Sequence, residues 1–312
     1  MKYPALGLIF FLTATFHFVV SVQAQNLPPS ERSKTLVIGK ISDDPKKHHP
    51  VLERMGSYLA QNLSSTGIVK SDVLIAKDLE QMIDYLANGK VDLLSETAFS
   101  GLRLKMRAGA EIILHEWKKG VPFYRTIFFS AKDSGINALS DLKGKKIAFE
   151  DSGSTSGFLI PIAMLTRGGF KVEHLRSPRN EPKRDSIGFT FSRGELNMVT
   201  WVARGLVSAG AFSSTDWKEV VRTPDRLKKS LKIIATSKPI VRSLVLVRKN
   251  MSSNLKSSLR SVMKNMSNQE SGRKMLSDYY KVSKYTDIGS EASKSLAEVK
   301  SLMQYLPKSS NK

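Results

Sequence analysis

Along the chain, short all-apolar runs alternate with longer stretches in which apolar residues recur every three or four positions. Thr35 to Ile41 (TLVIGKI) reads as a buried strand and is closed by the turn-rich Ser42-Asp43-Asp44-Pro45; beyond it Val51, Leu52, Met55, Leu59 and Leu63 stand at helical spacing. The unit repeats. Val73 to Ala76 is a strand, Asp78 to Ala87 a helix with Asp78 as N-cap and Gly89 as its stop, and Val91 to Leu94 the next strand. Alternating strands and helices predict a mostly parallel sheet covered on both faces.

Near Val121 the rhythm changes. Phe123 to Ala131 (FYRTIFFSA) is too long and too aromatic for one short parallel strand, and it is expected to carry the chain out of a first lobe into a second. The second lobe builds its sheet from Lys146 to Phe149, Leu206 to Ala211 and intervening helices. A return crossing is expected between Leu231 and Arg248, and the helical pattern of Leu255, Leu259, Val262, Met263 and Met266 packs back on the first lobe. The expected division is residues 25–122 plus 237–312 for lobe one and 123–236 for lobe two. Two α/β lobes joined by two crossings form a hinge, with the post-strand loops of both around a shared cleft.

The first 24 residues do not follow this pattern. After Lys2, Ala5 to Val22 carries no charge, and Val22 and Ala24 fit a small-residue cleavage rule with Gln25 as the mature N-terminus. A cleavable export signal and a periplasmic location are expected; a retained anchor would sit at the lower edge of spanning length. Without any cysteine, the chain has no disulfide framework, no lipid-modified cysteine, no thiolate metal site and no cysteine nucleophile. The 312 residues suit two lobes of roughly 100–150 residues each. The net charge is +21, and removing Lys2 leaves +20. That excess attracts anions, but the cations are scattered as pairs such as Lys46-Lys47, Lys118-Lys119 and Lys228-Lys229, unlike a nucleic-acid surface.

The segment from Lys145 to Thr166 (KKIAFEDSGSTSGFLIPIAMLT) is a strand, a small-residue loop and an apolar helix. Unpaired N–H groups at the helix start, with the hydroxyls of Ser154, Thr155 and Ser156, suit a tetrahedral oxyanion. A simple N-cap role for Ser154 or Ser156 fits the same residues. Pro161 would remove a hydrogen bond from a helix beginning after Ser156, so an irregular first turn is expected.

Asp133-Ser134-Gly135-Ile136, Asp141-Leu142-Lys143-Gly144-Lys145, Ala148-Phe149 and Ser154-Thr155-Ser156-Gly157, with Tyr124 upstream, resemble in order and spacing the phosphonate/phosphite-type periplasmic solute-binding proteins of ABC transporters. Weaker similarity runs from Leu36 to about Arg248, including Gly89-x-Val91-Asp92 and Pro239. The resemblance implies an α/β, two-lobed type II periplasmic-binding fold in which Ser154, Thr155 and Ser156 hold phosphonate or phosphate oxygens and Tyr124 stands in the cleft. It also places Glu96 in a cleft loop, to meet a cationic group of the ligand or a surface lysine. An acidic cleft position falls near Asp216, and Ser208 stands where an Asp is common. Where the family carries a glycine-serine-histidine pattern, this chain reads Phe191-Ser192-Arg193-Gly194-Glu195-Leu196-Asn197; Arg193 could replace the lost donor with a forked guanidinium, or be a solvated loop residue.

Catalytic and metal chemistry find little support in the pattern. His48-His49 lack the i, i+4 spacing of a zinc helix, and Ser140-x-x-Lys143 is better explained as a short helix cap than as a nucleophile pair. Nucleophile-elbow, dinucleotide and P-loop motifs are missing from the sequence. No cofactor, metal or nucleic acid is expected. The expected protein is a monomeric receptor for a small oxyanion that serves an ABC permease, with a sensory receptor for a membrane kinase or cyclase as the alternative, and an exported enzyme using Glu96 or Asp216 as base the remoter one.

Overall fold

The computed structural model describes residues 34–307; the predicted export signal lies outside them. The chain opens with β1 (Thr35–Ile41), five of whose seven residues are buried, as its unbroken apolar run requires. Helix α1 (Pro45–Asn62) starts six residues before the apolar periodicity, because Asp44 accepts from Lys47 N at 3.3 Å and Pro45 occupies the first turn, where a missing N–H does no harm. Then follow β2 (Lys70–Ala76), α2 (Leu79–Ala87), β3 (Leu93–Glu96), α3 (Ala98–Ala108) and β4 (Glu111–Glu116). Asp78 caps α2 by accepting from Gln81 N at 2.8 Å, as its sequence predicts. The third strand begins two residues later than its apolar run. Asp92 is buried there as a junction, its carboxylate accepting from Val37 N at 2.9 Å and Arg248 Nε at 2.7 Å.

The predicted crossing segment divides into β5 (Phe123–Tyr124) and β6 (Thr126–Ala131). A second body follows with β7 (Lys146–Phe149), α4 (Ile160–Arg167), β8 (Lys171–His174), β9 (Ser186–Phe191), α5 (Glu195–Ala203), β10 (Ala209–Ser213), α6 (Asp225–Lys228) and β11 (Leu231–Thr236). The return passes through β12 (Ile240–Val241) into β13 (Ser243–Val247), then α7 (Ser253–Asn265), α8 (Glu270–Asp278), β14 (Tyr285–Thr286) and α9 (Ser290–Leu302). β10 starts later than the predicted Leu206, because Gly205, at φ 69°, ends α5 and the chain must still turn before it can pair.

Two six-stranded sheets result, ordered β14-β4-β13-β3-β1-β2 and β11-β6-β10-β7-β9-β8, with β5 and β12 pairing separately between them. Parallel pairing dominates the β1-β2-β3 and β7-β8-β9-β10 runs, and antiparallel strands enter where the crossings deliver β13 and β6. β13 is buried along all five residues, as a strand covered on both faces must be. Helix α9 packs on β12 and against both α3 and α4, and Ser295 Oγ accepts from Val241 N at 2.9 Å, so the last helix braces the hinge.

The small-residue loop rests on an aromatic floor. The fully buried Phe158 ring lies 5.9 Å from Phe149, 5.8 Å from Phe189 and 5.2 Å from Phe191, an anchor of about 1.5–3 kcal/mol for the burial of one such side chain. Above it, Thr155–Leu159 makes one π-helical turn before α4 begins. Pro161 is the cause: it has no N–H for the Gly157 carbonyl, which accepts instead from Glu150 N at 3.1 Å. This is the irregular first turn that the proline predicts. Gly157 must remain small, since a Cβ there would stand 2.7 Å from Glu150 Cβ and 2.9 Å from Ser154 Oγ. Gly157→Ala is therefore expected to destabilise the chain by about 1–3 kcal/mol, read as a lower melting temperature; an unchanged melting temperature would show that the turn has slack.

Candidate functional site

Strand carboxyl ends from both sheets face one another: Lys40 is the penultimate residue of β1, Glu96 and Glu116 close β3 and β4, while Phe149 leads to Glu150 and Ser213 to Asp216. In open α/β sheets this edge is where ligands bind. The two lobes already touch across it. Helix α3 has no side-chain cap of its own; Phe99 N donates to Thr155 Oγ1 at 2.9 Å, so a hydroxyl of one lobe caps a helix of the other. Beside it, Ser100 Oγ donates to Gly153 O at 3.1 Å, and Lys119 Nζ reaches Asp216 Oδ1 at 2.8 Å and Glu219 Oε1 at 2.9 Å.

The three loop hydroxyls have separate tasks. Ser154 Oγ accepts from Gly157 N at 2.9 Å and donates to Glu150 Oε2 at 2.7 Å, the cap role that its sequence also allowed. Thr155, fully buried, spends a lone pair on Phe99 and keeps its O–H to give. Ser156 is buried next to Tyr124; its carbonyl accepts from Thr126 Oγ1 at 2.9 Å. The Tyr124 hydroxyl is buried without a hydrogen-bond partner among the described residues. Burial pushes the Tyr124 phenol up, against the opposing pull of the Arg242 charge and the nearby Ser156 hydroxyl. Thr155, Ser156 and Tyr124 thus gather at one place.

The other predicted residues are placed differently. Glu96 is paired, its Oε1 accepting from Lys40 Nζ at 3.2 Å. Asp216 is enclosed by Lys119 and by Ser213, whose Oγ donates to its Oδ2; burial works to raise its carboxyl, and Lys119, Ser213 and Arg242 overcome this and hold it below the ordinary range. Arg193 is exposed, in the left-handed region at φ 55°, with its backbone N donating to Glu150 O at 3.0 Å.

Sequence reading missed four groups. Arg242, 7% exposed, follows β12 at the crossing; its backbone N donates to Pro122 O at 2.8 Å and its guanidinium carbon lies 4.5 Å from the Tyr124 ring centroid. Lys118 Nζ sits 4.8 Å from the Tyr280 ring centroid. Burial, the charge of Lys40 and that of Arg242 draw the Lys118 ammonium down to about 8, against Glu116 and Glu96. His48 Nδ1 and Tyr280 Oη lie 2.8 Å apart, and burial with the charges of Lys40, Lys47 and Lys118 lowers that imidazole to about 4. Glu150 is the fourth: enclosure by protein, then the charges of Glu195 and Asp151, raise its carboxyl to about 8 despite the Ser154 bond. Arg242 and Lys118 lie in stretches that read as a strand end and a scattered lysine pair; only the fold brings them together.

A pocket of about 440 Å³ opens elsewhere, where Ile160, Met164 and Arg167 of α4 meet Lys238, Pro239 and Glu298. None of the predicted site residues lines it.

A neutral Glu150 has a consequence that can be measured. An acid raised from 4.5 to about 8 lets the folded chain keep a proton that the unfolded chain loses across that window. Its contribution to stability is therefore full below about pH 4.5 and falls as pH rises to about 8. Glu150→Gln removes this contribution, so the melting temperature of the variant should gain on that of the native chain as pH rises from 4.5 to 8; parallel curves would show that Glu150 is ionised throughout.

Comparison with known proteins gives the chain its family. Residues 44–291 match the family model described as ABC transporter, phosphonate, periplasmic substrate-binding protein. The chain is 27% identical over 252 residues to the phosphonates-binding periplasmic protein of Escherichia coli K12, covering 78% of this chain and 70% of that one. XAC2383 from Xanthomonas citri, solved bound to chloride, superposes with a TM-score of 0.85 at 30% identity, covering 87% of this chain and 98% of that one. The same protein bound to ATP gives 0.82 at 28%, with 88% and 100% covered. PhnD1 from Prochlorococcus marinus, in complex with methylphosphonate, shares the fold at a TM-score of 0.65 and 19% identity, with 88% and 100% covered. With its two α/β lobes of type II periplasmic-binding architecture, the chain belongs to the phosphonate-type substrate-binding proteins of ABC transporters, which capture solute for import.

Proposed function

We propose that this chain is exported by a cleaved signal ending at Ala24, works in the periplasm as a monomer without catalysis, and closes around a phosphorus oxyanion for an ABC permease. The lobes are 25–122 plus 237–312 and 123–236, with α9 bracing the hinge between them. One observation carries the ligand class: Thr155, Ser156 and Tyr124 collect buried hydroxyls at the strand ends of two lobes. Buried donors left unmade are costly, about 1–3 kcal/mol each, and a tetrahedral oxyanion accepts from several at once. Glu150 beside them, held neutral near pH 7, does not repel such a ligand. Methylphosphonate and ATP, found in PhnD1 and XAC2383, are the first candidates for this chain.

In this mechanism the hinge of β5 and β12 lets the lobes part, solvent reaches the loop, and closure restores the Thr155 cap on α3 together with the Lys119 contacts. A ligand that bonds both lobes favours the closed form by its differential affinity, and the permease meets that form.

The test is a thermal-shift panel on residues 25–312 with phosphate, phosphite, methylphosphonate, 2-aminoethylphosphonate, ATP and sulfate. A ligand at one hundred times its dissociation constant adds about 2.7 kcal/mol to the folded state. A rise with at least one phosphorus compound is expected, and the double variant Tyr124→Phe, Ser156→Ala should lose it while its ligand-free melting temperature holds, because the two hydroxyls lie beside each other and are removed together, leaving no new unpaired partner elsewhere. Silence across the phosphorus compounds, or an undiminished rise in the double variant, would contradict the assignment.

A further inference from the structure

Two cations in the cleft close no ion pair among the described residues, although the Asp216 charge acts on Arg242 from further off. The Arg242 side chain, more than nine-tenths buried, forms no hydrogen bond or ion pair among the described residues, and its Nε is enclosed without a partner. The Lys118 ammonium likewise closes no ion pair among the described residues; it lies over the Tyr280 ring, and the Glu116 and Glu96 charges reach it only from beyond ion-pair distance. Their neighbours are committed: Glu96 to Lys40, and Asp216 and Glu219 to Lys119. Glu116, buried at the end of β4, accepts from Ser95 Oγ at 2.6 Å and leaves Oε1 unpartnered, so it too does not close a pair with Lys118.

A buried guanidinium is tolerated when something answers its charge. A ring face does so weakly, and a second cation close by makes matters worse. The position matters as much as the charge. Arg242 hangs from the segment between β12 and β13, tied by its backbone to Pro122, and lies over the ring whose hydroxyl stands beside Ser156.

Resting on the function proposed above, we infer that Arg242, seconded by Lys118, is the cationic seat of the site: the guanidinium takes two oxygens of a phosphorus group whose oxygens also accept from Ser156, Thr155 and Tyr124. The forked donor geometry of arginine fits two oxygens on one phosphorus, and two unpaired positive charges favour a dianion over a monoanion. The seat, at the crossing of the chain, joins the ligand to the hinge itself. Exposed Arg193 has no part in it.

The experiment compares the mature chain with its Arg242→Gln, Arg242→Lys and Lys118→Met variants by calorimetric titration with phosphate, methylphosphonate, ATP and the monoanion methanesulfonate, and by ligand-free melting. Arg242→Gln is expected to weaken phosphorus-oxyanion binding by about 100-fold, Arg242→Lys to restore part of it, and Lys118→Met to cost less than Arg242→Gln. The ligand-free melting temperature of Arg242→Gln should hold or rise, because a buried unpaired charge has gone; a purely structural arginine would lower it. The native chain should prefer methylphosphonate to methanesulfonate, and Arg242→Gln should narrow that preference. If the native chain binds a phosphorus oxyanion and Arg242→Gln binds it equally well, the seat is wrong and the proposed function stands. If the native chain binds none of them, the function falls and the seat with it.

Discussion

Pro161 has no N–H, so the turn ahead of α4 cannot close as an ordinary helix, and the Gly157 carbonyl turns to Glu150 N instead. Much of the cleft depends on that exchange. It widens the turn, brings Glu150 against Ser154 and leaves no room for a Cβ at Gly157. With Ser154 occupied as the cap, Thr155 and Ser156 are left to face the opposite lobe and Tyr124. The Phe158 floor fixes the turn from below, since its ring is packed among three other phenylalanines.

Charge is distributed unevenly around this turn. Carboxylates collect on the second-lobe side, where Glu195 is paired with Arg222 and presses Glu150 toward its neutral form. Cations collect on the side of β4 and the crossings, where Lys40 and Lys119 close ion pairs with carboxylates while Arg242 and Lys118 close none among the described residues. An oxyanion between the hydroxyls and the two unanswered cations would complete the pairing. The contact of Thr155 with α3 joins the same loop to the other lobe, and in the proposed function this would tie ligand capture to the conformation that a permease meets.

Most of the fold was legible in the chain because its central strands are mostly buried and therefore read as largely apolar runs: TLVIGKI, KIAF and SLVLV mark β1, β7 and β13. The crossings showed in the length of FYRTIFFSA, and the proline-induced irregularity in the placing of Pro161. Strand starts were less legible, since Asp92 and Gly205 redirect the backbone through junctions that hydrophobic pattern does not encode. The hydroxyl loop was readable as a motif, but the division of labour among its three hydroxyls was not, because Glu150 and Phe99 decide it through contacts 4 and 56 residues apart. Arg242 and Lys118 were illegible for the same reason: 124 positions separate them, and their lack of an ion pair among the described residues is a property of the folded cleft alone.

The most direct measurement is a crystal structure of the mature chain grown with methylphosphonate. The account predicts phosphonate oxygens within hydrogen-bond distance of Thr155 Oγ1, Ser156 Oγ, Tyr124 Oη and the Arg242 guanidinium, with the Thr155–Phe99 contact kept. Phosphonate bound instead in the pocket of Arg167 and Lys238, or in the cleft but turned away from Arg242 toward Arg193, would contradict it.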